Sequence, residues 1–311
     1  MSAIEKGDIR LKRKTAQKKR AKNNYVRGLI KRILKIFWLI LIIGGVLVFI
    51  VDFRSSSWDG KHTLNFVELD NNEIVFYSFH PQERVLNKII FPQNLFISTA
   101  KGLGEYKINN IYKLGEMEKI GGGKLLTYSL QNLLGIPIDG WLVKKKFFLS
   151  ETNFSWWDRI RIFYFRRELK PNDINEIDLR QAGLIVQEEL PDNSRILKLE
   201  VGRTQEFCLR FLTDSNILNE NMRVQVVNGT KRTSLGKNAA LLARGIGVQI
   251  VNIRDGDEFL NKTAIFFNRE TETLKRLAKI FKTDRLEQKE DLESDIVLIV
   301  GDDFWKEFYS F

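Results

Sequence analysis

RVQVVNGTKRTSLGKNAALLARGIGVQIVNI, residues 223–253, reads as one strand–helix–strand unit. RVQVVNGT is a short run of alternating β-branched residues that ends at Asn228-Gly229, a turn dipeptide. LGKNAALLARGIG then places Leu235, Ala239, Leu242 and Ala243 at helical spacing, with Gly245 positioned to stop the helix. VQIVNI is a second strand.

Towards the C-terminus, TAIFFN (263–268) follows the turn DGDEFLN as a third strand. TETLKRLAKIF (271–281) is an amphipathic helix, capped by Thr271, with Leu274, Leu277, Ala278 and Phe281 on one face. LEQKEDLES (286–294) reads as solvated loop, and DIVLIVGDDF (295–304) as a last strand, apolar on both faces and therefore central. The order β-α-β-β-α-β predicts a ferredoxin-like arrangement over residues 222–311. These segments closely resemble, in order, the C-terminal domain carried by LytR/CpsA/Psr (LCP) envelope proteins of bacteria. The acids of Gly301-Asp302-Asp303 invite a metal reading, against which stands a turn cap after the last strand; the cap is the preferred reading.

Towards the N-terminus, HTLNFVELDNNEIVFYSF (62–79) is a hairpin about Asp70-Asn71-Asn72, and KIIFPQNLFIS (88–98) an extended piece broken by Pro92. GGKLLTYSLQNLLG (122–135) is a helix stopped by Gly135, and IPIDGWLVKKKFF (136–148) a further strand. With KINNIY (107–112) and LLGIPIDGWLV (133–143) as the strongest matches, residues 58–220 resemble the LCP catalytic domain. The resemblance implies transfer of a polyprenyl-pyrophosphate-linked glycan to the cell wall, by Mg²⁺-binding aspartates and pyrophosphate-neutralising arginines. At those positions the chain departs from the family. His62 stands before Thr63 where the family has Asp, and Pro92-Gln93-Asn94 replaces Pro-Arg-Asp. Neutral amides substitute poorly for charged ligands of metal and phosphate. The resemblance therefore implies a degenerate site at His62, Gln93 and Asn94, with no catalytic residue and no metal ligand retained. An alternative cation cluster is Arg84, Lys88, Lys101 and Lys107, with Asp59 or Glu105 as ligands; only this alternative calls for Mg²⁺.

The run FSWWDRIRIFYFRREL (154–169) is expected to bury Trp156, Ile160, Phe163 and Tyr164 on one face, with its arginines outside. The less favoured readings are a membrane-surface contact, or a pyrophosphate site made from Arg159, Arg161, Arg166 and Arg167, which consecutive helical positions oppose. Cys208, the single cysteine, excludes an internal disulfide and reads as a core residue.

Before all of this comes IFWLILIIGGVLVFIV (36–51), sixteen residues without a charge. Residues 36–53 are expected to be a transmembrane helix and residues 1–35 a basic cytoplasmic tail. That tail holds 13 Lys and Arg against Glu5 and Asp8, which is the whole net charge of +11. A nucleic-acid-binding domain carries its basic surface on the folded part; a block of cations beside an apolar run is the positive-inside pattern instead. The expected protein is α/β, single-pass in the cell membrane, with extracytoplasmic domains. Its expected role is non-catalytic binding or scaffolding in cell-wall biogenesis; the alternative is an active LCP-type glycopolymer phosphotransferase. Expected partners are the membrane and a cell-wall glycopolymer, polyprenyl lipid or envelope protein. No cofactor and no nucleic acid are expected.

Overall fold

The structure is a computed structural model that describes residues 35–47, 49–53, 56–144, 151–191 and 193–310. The basic tail, apart from Lys35, lies outside the described residues. The chain divides into two compact units, residues 1–55 and 56–311. The first unit contains helix α1 (Lys35–Phe53), 19 residues long and apolar enough to cross a membrane. At 1.5 Å per residue it measures about 28 Å, close to the hydrocarbon thickness of a bilayer.

The second unit is built on two sheets. The first begins with the hairpin β1 (Leu64–Asp70) and β2 (Glu73–His80). Its two-residue turn places Asn71 and Asn72 at φ 46° and 68°, the left-handed region that asparagine tolerates. After β3 (Val85–Phe91), Pro92 ends the run; β4 (Phe96–Ser98) and β5 (Glu105–Lys107) form a small separate ladder. Helices α2 (Ile108–Met117) and α3 (Gly122–Leu134) follow. Gly135 ends α3 at φ 69°, where a Cβ would be strained. Strand β6 (Gly140–Val143) returns parallel to β1, and β7 (Glu151–Thr152) pairs with β6. Helix α4 (Trp156–Glu168) precedes β8 (Ile174–Ile177), which closes the order β7-β6-β1-β2-β3-β8. A two-stranded ladder of β9 (Ile185–Glu189) and β10 (Arg195–Leu199), then α5 (Val201–Phe211) and α6 (Ser215–Glu220), lead on.

The second sheet contains β11 (Arg223–Asn228), β12 (Gln249–Asp255), β13 (Ala264–Phe267), β14 (Leu286–Gln288) and β15 (Ile296–Val300). Helices α7 (Leu235–Arg244), α8 (Glu272–Ile280) and α9 (Asp302–Phe308) accompany it. The order β12-β11-β15-β13-β14 corrects the ferredoxin-like expectation. Here β12 lies directly beside β11 in parallel, and β15 alone separates β11 from β13. A fifth strand, β14, sits in the stretch expected to be loop. All three of its side chains are exposed, so its place is set by backbone pairing with β13, which composition does not display. The central position of β15 is as expected.

The pleat of β2 explains the layering. Val75, Tyr77 and Phe79 point to one face, packed with Phe66, Phe154 and Ile162 under α4. Ile74 and Phe76 point to the other, into a core that runs without a break through α2, α3, α7 and α8 to Phe308. The residues on either side of Asn221 thus share one interior. Gly245 marks the junction: its φ of −59° is helical, so it is not a left-handed stop, but a Cβ there would lie 2.7 Å from the carbonyl oxygen of Gly135. Asn228, at the end of β11, donates to the carbonyl of Arg232 and to Asp255, both at 3.0 Å. It also accepts from Thr230, while Gly229 N donates to Val300 O at 2.9 Å.

Helix α4 overturns one expectation. Trp156, Phe163 and Tyr164 are 58–66% exposed and Ile160 is on the same outward side; the buried positions are Asp158 and Ile162. The cause is Asp158. It completes a capping box with Ser155 and accepts from Ser56 Oγ (2.7 Å), Ser57 N (2.8 Å) and Trp58 N (2.9 Å). These donors hold the carboxylate inward, so the aromatic stripe faces out.

Candidate functional site

His62 and Thr63 lead into β1, and Asp139 leads into β6. Because Phe66 is opposite Gly140 in a parallel pair, the two lead-ins lie side by side. Helix α8 crosses this point and sets Arg276 against Asp139. The Nη1–Oδ1 and Nη2–Oδ2 distances are 2.6 and 2.9 Å, and both side chains are 6% exposed. Asp139 also accepts from Asn65 N at 2.9 Å. Two parallel N–H···O bonds to a carboxylate are the strongest form of such a pair.

Beside it, His62 is ringed by carboxylates. Nδ1 lies 3.2 Å from Asp214 Oδ2; Nε2 lies 3.3 Å from Glu272 Oε2 and 3.5 Å from Asp59 Oδ2. Asp214 reaches this position as the cap of α6, and also accepts from Thr63 N at 2.6 Å. The hydrogen bond to Asp214, helped by Glu272 and against the pull of burial, raises the His62 pKa. Burial would raise the Asp214 carboxyl, but hydrogen bonds from His62, Thr63 and Asn216 outweigh it and hold it low. Glu272 is held low first by Lys275 and then by His62. At Asp59, backbone donors from His62 and Lys61 overcome a desolvation that would raise it. Burial pushes the Lys279 ammonium down, against the attraction of Asp139.

Of these groups His62, Asp59, Glu272, Lys275 and Lys279 line a pocket of about 110 Å³, and Asp214 lies behind it. Two chemistries fit. A protonated His62 closes an ion network between the β1 lead-in and α8. Alternatively, His62 Nε2, Asp59 and Glu272, whose ligand atoms lie within 4.8 Å of one another, could hold a divalent cation. Asp214 on Nδ1 would then fix the ring, as carboxylates behind metal-bound histidines do. Lys275, Arg276 and Lys279 on the same walls oppose a bare cation and favour an anion.

The other sequence-derived positions are dispersed. Leu64 pairs with Phe79 and Phe79 with Leu86, whereas Phe91 pairs with Ile74 and Ile74 with Leu69. His62 is therefore at one end of the sheet and the exposed Gln93-Asn94 turn at the other, about 20 Å away at 3.3 Å per residue. Arg84 is an exposed turn residue, Lys88 pairs with Glu176, and Lys107 lies over the Phe96 ring. Lys101 is buried and donates to the carbonyls of Lys306 and Ser310. The four do not form one cluster. Glu105 pairs with Lys198, away from Asp59. Asp302 binds Arg232 and Lys306, and Asp303 accepts from Thr263 and Phe304, so both serve the first turn of α9. Of Arg159, Arg161, Arg166 and Arg167, Arg161 turns to Ser56 and Arg166 to Glu68. Cys208 is fully buried, and burial raises its thiol to about 12.

Asp139, Asp214, Glu272 and Arg276 were missed by sequence reasoning. Only Arg276 left a trace: it is three residues after Thr273 and four before Ile280, on a side of α8 that is buried throughout.

No curated protein matches the chain. Among solved structures, the chain is similar to TagT of B. subtilis at 14% identity and TM-score 0.39, over 48% of this chain and 89% of that one. It is similar to the LytR-CPS2A-psr family protein YwtF (TagT) with bound octaprenyl pyrophosphate lipid at 15% identity and TM-score 0.37, over 47% and 88%. For TagV of B. subtilis the values are 10% and 0.37, over 48% and 95%. Residues 221–304 match the family described as LytR cell envelope-related transcriptional attenuator, so the sheet of β11 to β15 is a LytR_C domain.

Proposed function

We propose that this is a single-pass envelope protein, with its N-terminus cytoplasmic and the 56–311 unit outside, that binds or scaffolds in cell-wall biogenesis without catalysing transfer. Its partner would be a cell-wall glycopolymer, a polyprenyl lipid or another envelope protein. The anchor rests on the length and composition of α1 together with the cations before it. The non-catalytic role rests on the lead-in to β1. Where the resembled family has an aspartate, His62 is engaged by Asp59, Asp214 and Glu272, beside a pocket of about 110 Å³. Pockets that bury a drug-sized ligand run to about 300–1,000 Å³, so this one is too small to enclose even a ligand of that size. The test is thermal unfolding of the full chain with millimolar polyprenyl pyrophosphate and Mg²⁺. No Mg²⁺-dependent rise in melting temperature is expected, whereas a rise without Mg²⁺ would identify the lipid as the bound partner; a Mg²⁺-dependent rise overturns the reading, because a ligand of the folded state must stabilise it.

The second reading, an active phosphotransferase, has one observation in its favour: the possible cation ligands Asp59, His62 and Glu272 share their pocket with three basic side chains. Under that reading Glu272→Gln abolishes the Mg²⁺-dependent rise.

A further inference from the structure

The outward side of α4 is unusual for a protein surface. Trp156, Ile160, Phe163 and Tyr164 recur at helical spacing and are exposed by 66, 36, 59 and 58%. Arg159 stacks over the Trp156 ring at 5.1 Å, and Arg167 projects on the same side. Neither arginine makes an ion pair among the described residues. Aromatic rings with an apolar body and flanking guanidinium groups are the composition of helices that lie in a lipid interface.

The covalent chain identifies the occupant. Asp158, in the first turn of α4, is hydrogen-bonded to Ser56, Ser57 and Trp58. Ser56 follows Phe53, the last residue of α1, by three positions. At 3.3–3.6 Å per residue that chain spans at most about 11 Å. An α1 that crosses a bilayer therefore keeps the start of α4 within reach of the headgroups, whatever the orientation of the 56–311 unit.

We propose that the face formed by Trp156, Ile160, Phe163 and Tyr164, flanked by Arg159 and Arg167, rests in the interface of a bilayer containing anionic lipid. Ile160 and Phe163 enter the acyl boundary, and the two guanidinium groups meet phosphate. This inference rests on the membrane anchor proposed above. It gives residues 154–169 a function as a second attachment, one that fixes the orientation of the ectodomain rather than its residence.

The test uses the full chain reconstituted into vesicles of phosphatidylcholine with about one third phosphatidylglycerol. Tyr164→Cys and, as a control, Glu290→Cys are spin-labelled; Cys208 is buried and unreactive. Relaxation by oxygen and by a water-soluble nickel chelate reports lipid or water around each label. The label at 164 is expected to exclude nickel and the label at 290 to remain open. Arg159→Gln with Arg167→Gln is expected to lower the docked-to-undocked ratio about thirtyfold, from the loss of two basic residues at an anionic surface. The inference falls if 164 is as nickel-accessible as 290, if protection is unchanged in pure phosphatidylcholine, or if it grows with protein-to-lipid ratio, which would make a second copy the occupant. A chain that floats with the vesicles while 164 stays open keeps the anchor and sinks only this inference. A chain that does not float sinks both.

Discussion

Helices α4 and α8 are built alike and are used oppositely. Each starts at a hydroxyl cap, Ser155 or Thr271, and each carries one ionised side chain into the interior, Asp158 or Arg276. In both the buried charge is partnered, by donors from Ser56 to Trp58 in one case and by a two-pronged pair with Asp139 in the other, where the Arg276 Nε is left without a partner. The apolar side chains then part company. Leu274, Leu277 and Ile280 of α8 are buried with the charge, whereas α4 buries Ile162 and leaves four large apolar side chains outside. The inward side of α4 is set by the polar partners of Asp158 together with Ile162 and Phe165, which stacks on Phe79, and not by the helix's longest apolar stripe. An amphipathic pattern identifies two faces, and the partners of the single charge help to decide which face is inside.

The contrast predicts stability effects of very different size. Leu277→Asp, a fully buried site, is expected to cost about 5 kcal/mol or more in chemical denaturation, from lost packing plus an unpaired buried carboxylate. A cost near zero would place α8 on the surface, where only α4 should have such a stripe. Next is Arg276→Met, which strands Asp139 and is expected to cost about 3–5 kcal/mol; adding Asp139→Leu should recover most of that. If the double variant were as unstable as the single, the pair would be doing more than balancing charge.

The His62 network should give a smaller, pH-dependent effect. Its pKa is raised above 6.5, so its contribution is full below about pH 6.5 and is lost as pH climbs through the folded-state value. The carboxylates around it are lowered from 3.8 and 4.5, so theirs is present above those values and lost as pH falls below them. Melting temperature should therefore peak between about pH 5 and 6.5, and His62→Gln should flatten the fall on the alkaline side. A fall of equal slope in the variant would assign it to other groups. The smallest effect is Phe163→Ser on α4, expected to stay within about 0.5 kcal/mol because the ring is 59% exposed. A larger cost would mean that α4 is not the open helix this comparison makes it.

Periodicity carried much of the fold. The Asn71-Asn72 hairpin, the Gly135 stop, the face of α8 and the central place of β15 were all legible, because each is dictated by local spacing and backbone preference. Strand β14 was not, since its exposed Leu-Glu-Gln carries no period and is held by the backbone of β13. The candidate site was legible only at His62 and Asp59. Asp139, Asp214 and Glu272 lie 77, 152 and 210 residues from His62 in the chain, and nothing local to each announces the others. The separation of His62 from Gln93 and Asn94 likewise depends on sheet register, which a resemblance between short segments does not reveal.

Asn228-Gly229 is the dipeptide type most prone to spontaneous deamidation, a reaction in which the glycine nitrogen attacks the asparagine amide to close a succinimide ring. In β11 that chemistry is blocked at both partners. The amide is held by Arg232, Asp255 and Thr230, and the Gly229 N–H is committed to Val300. Deamidation at this position thus reports unfolding. In an aged preparation, isoaspartate at residue 228 would date the fraction of molecules whose LytR_C sheet has opened.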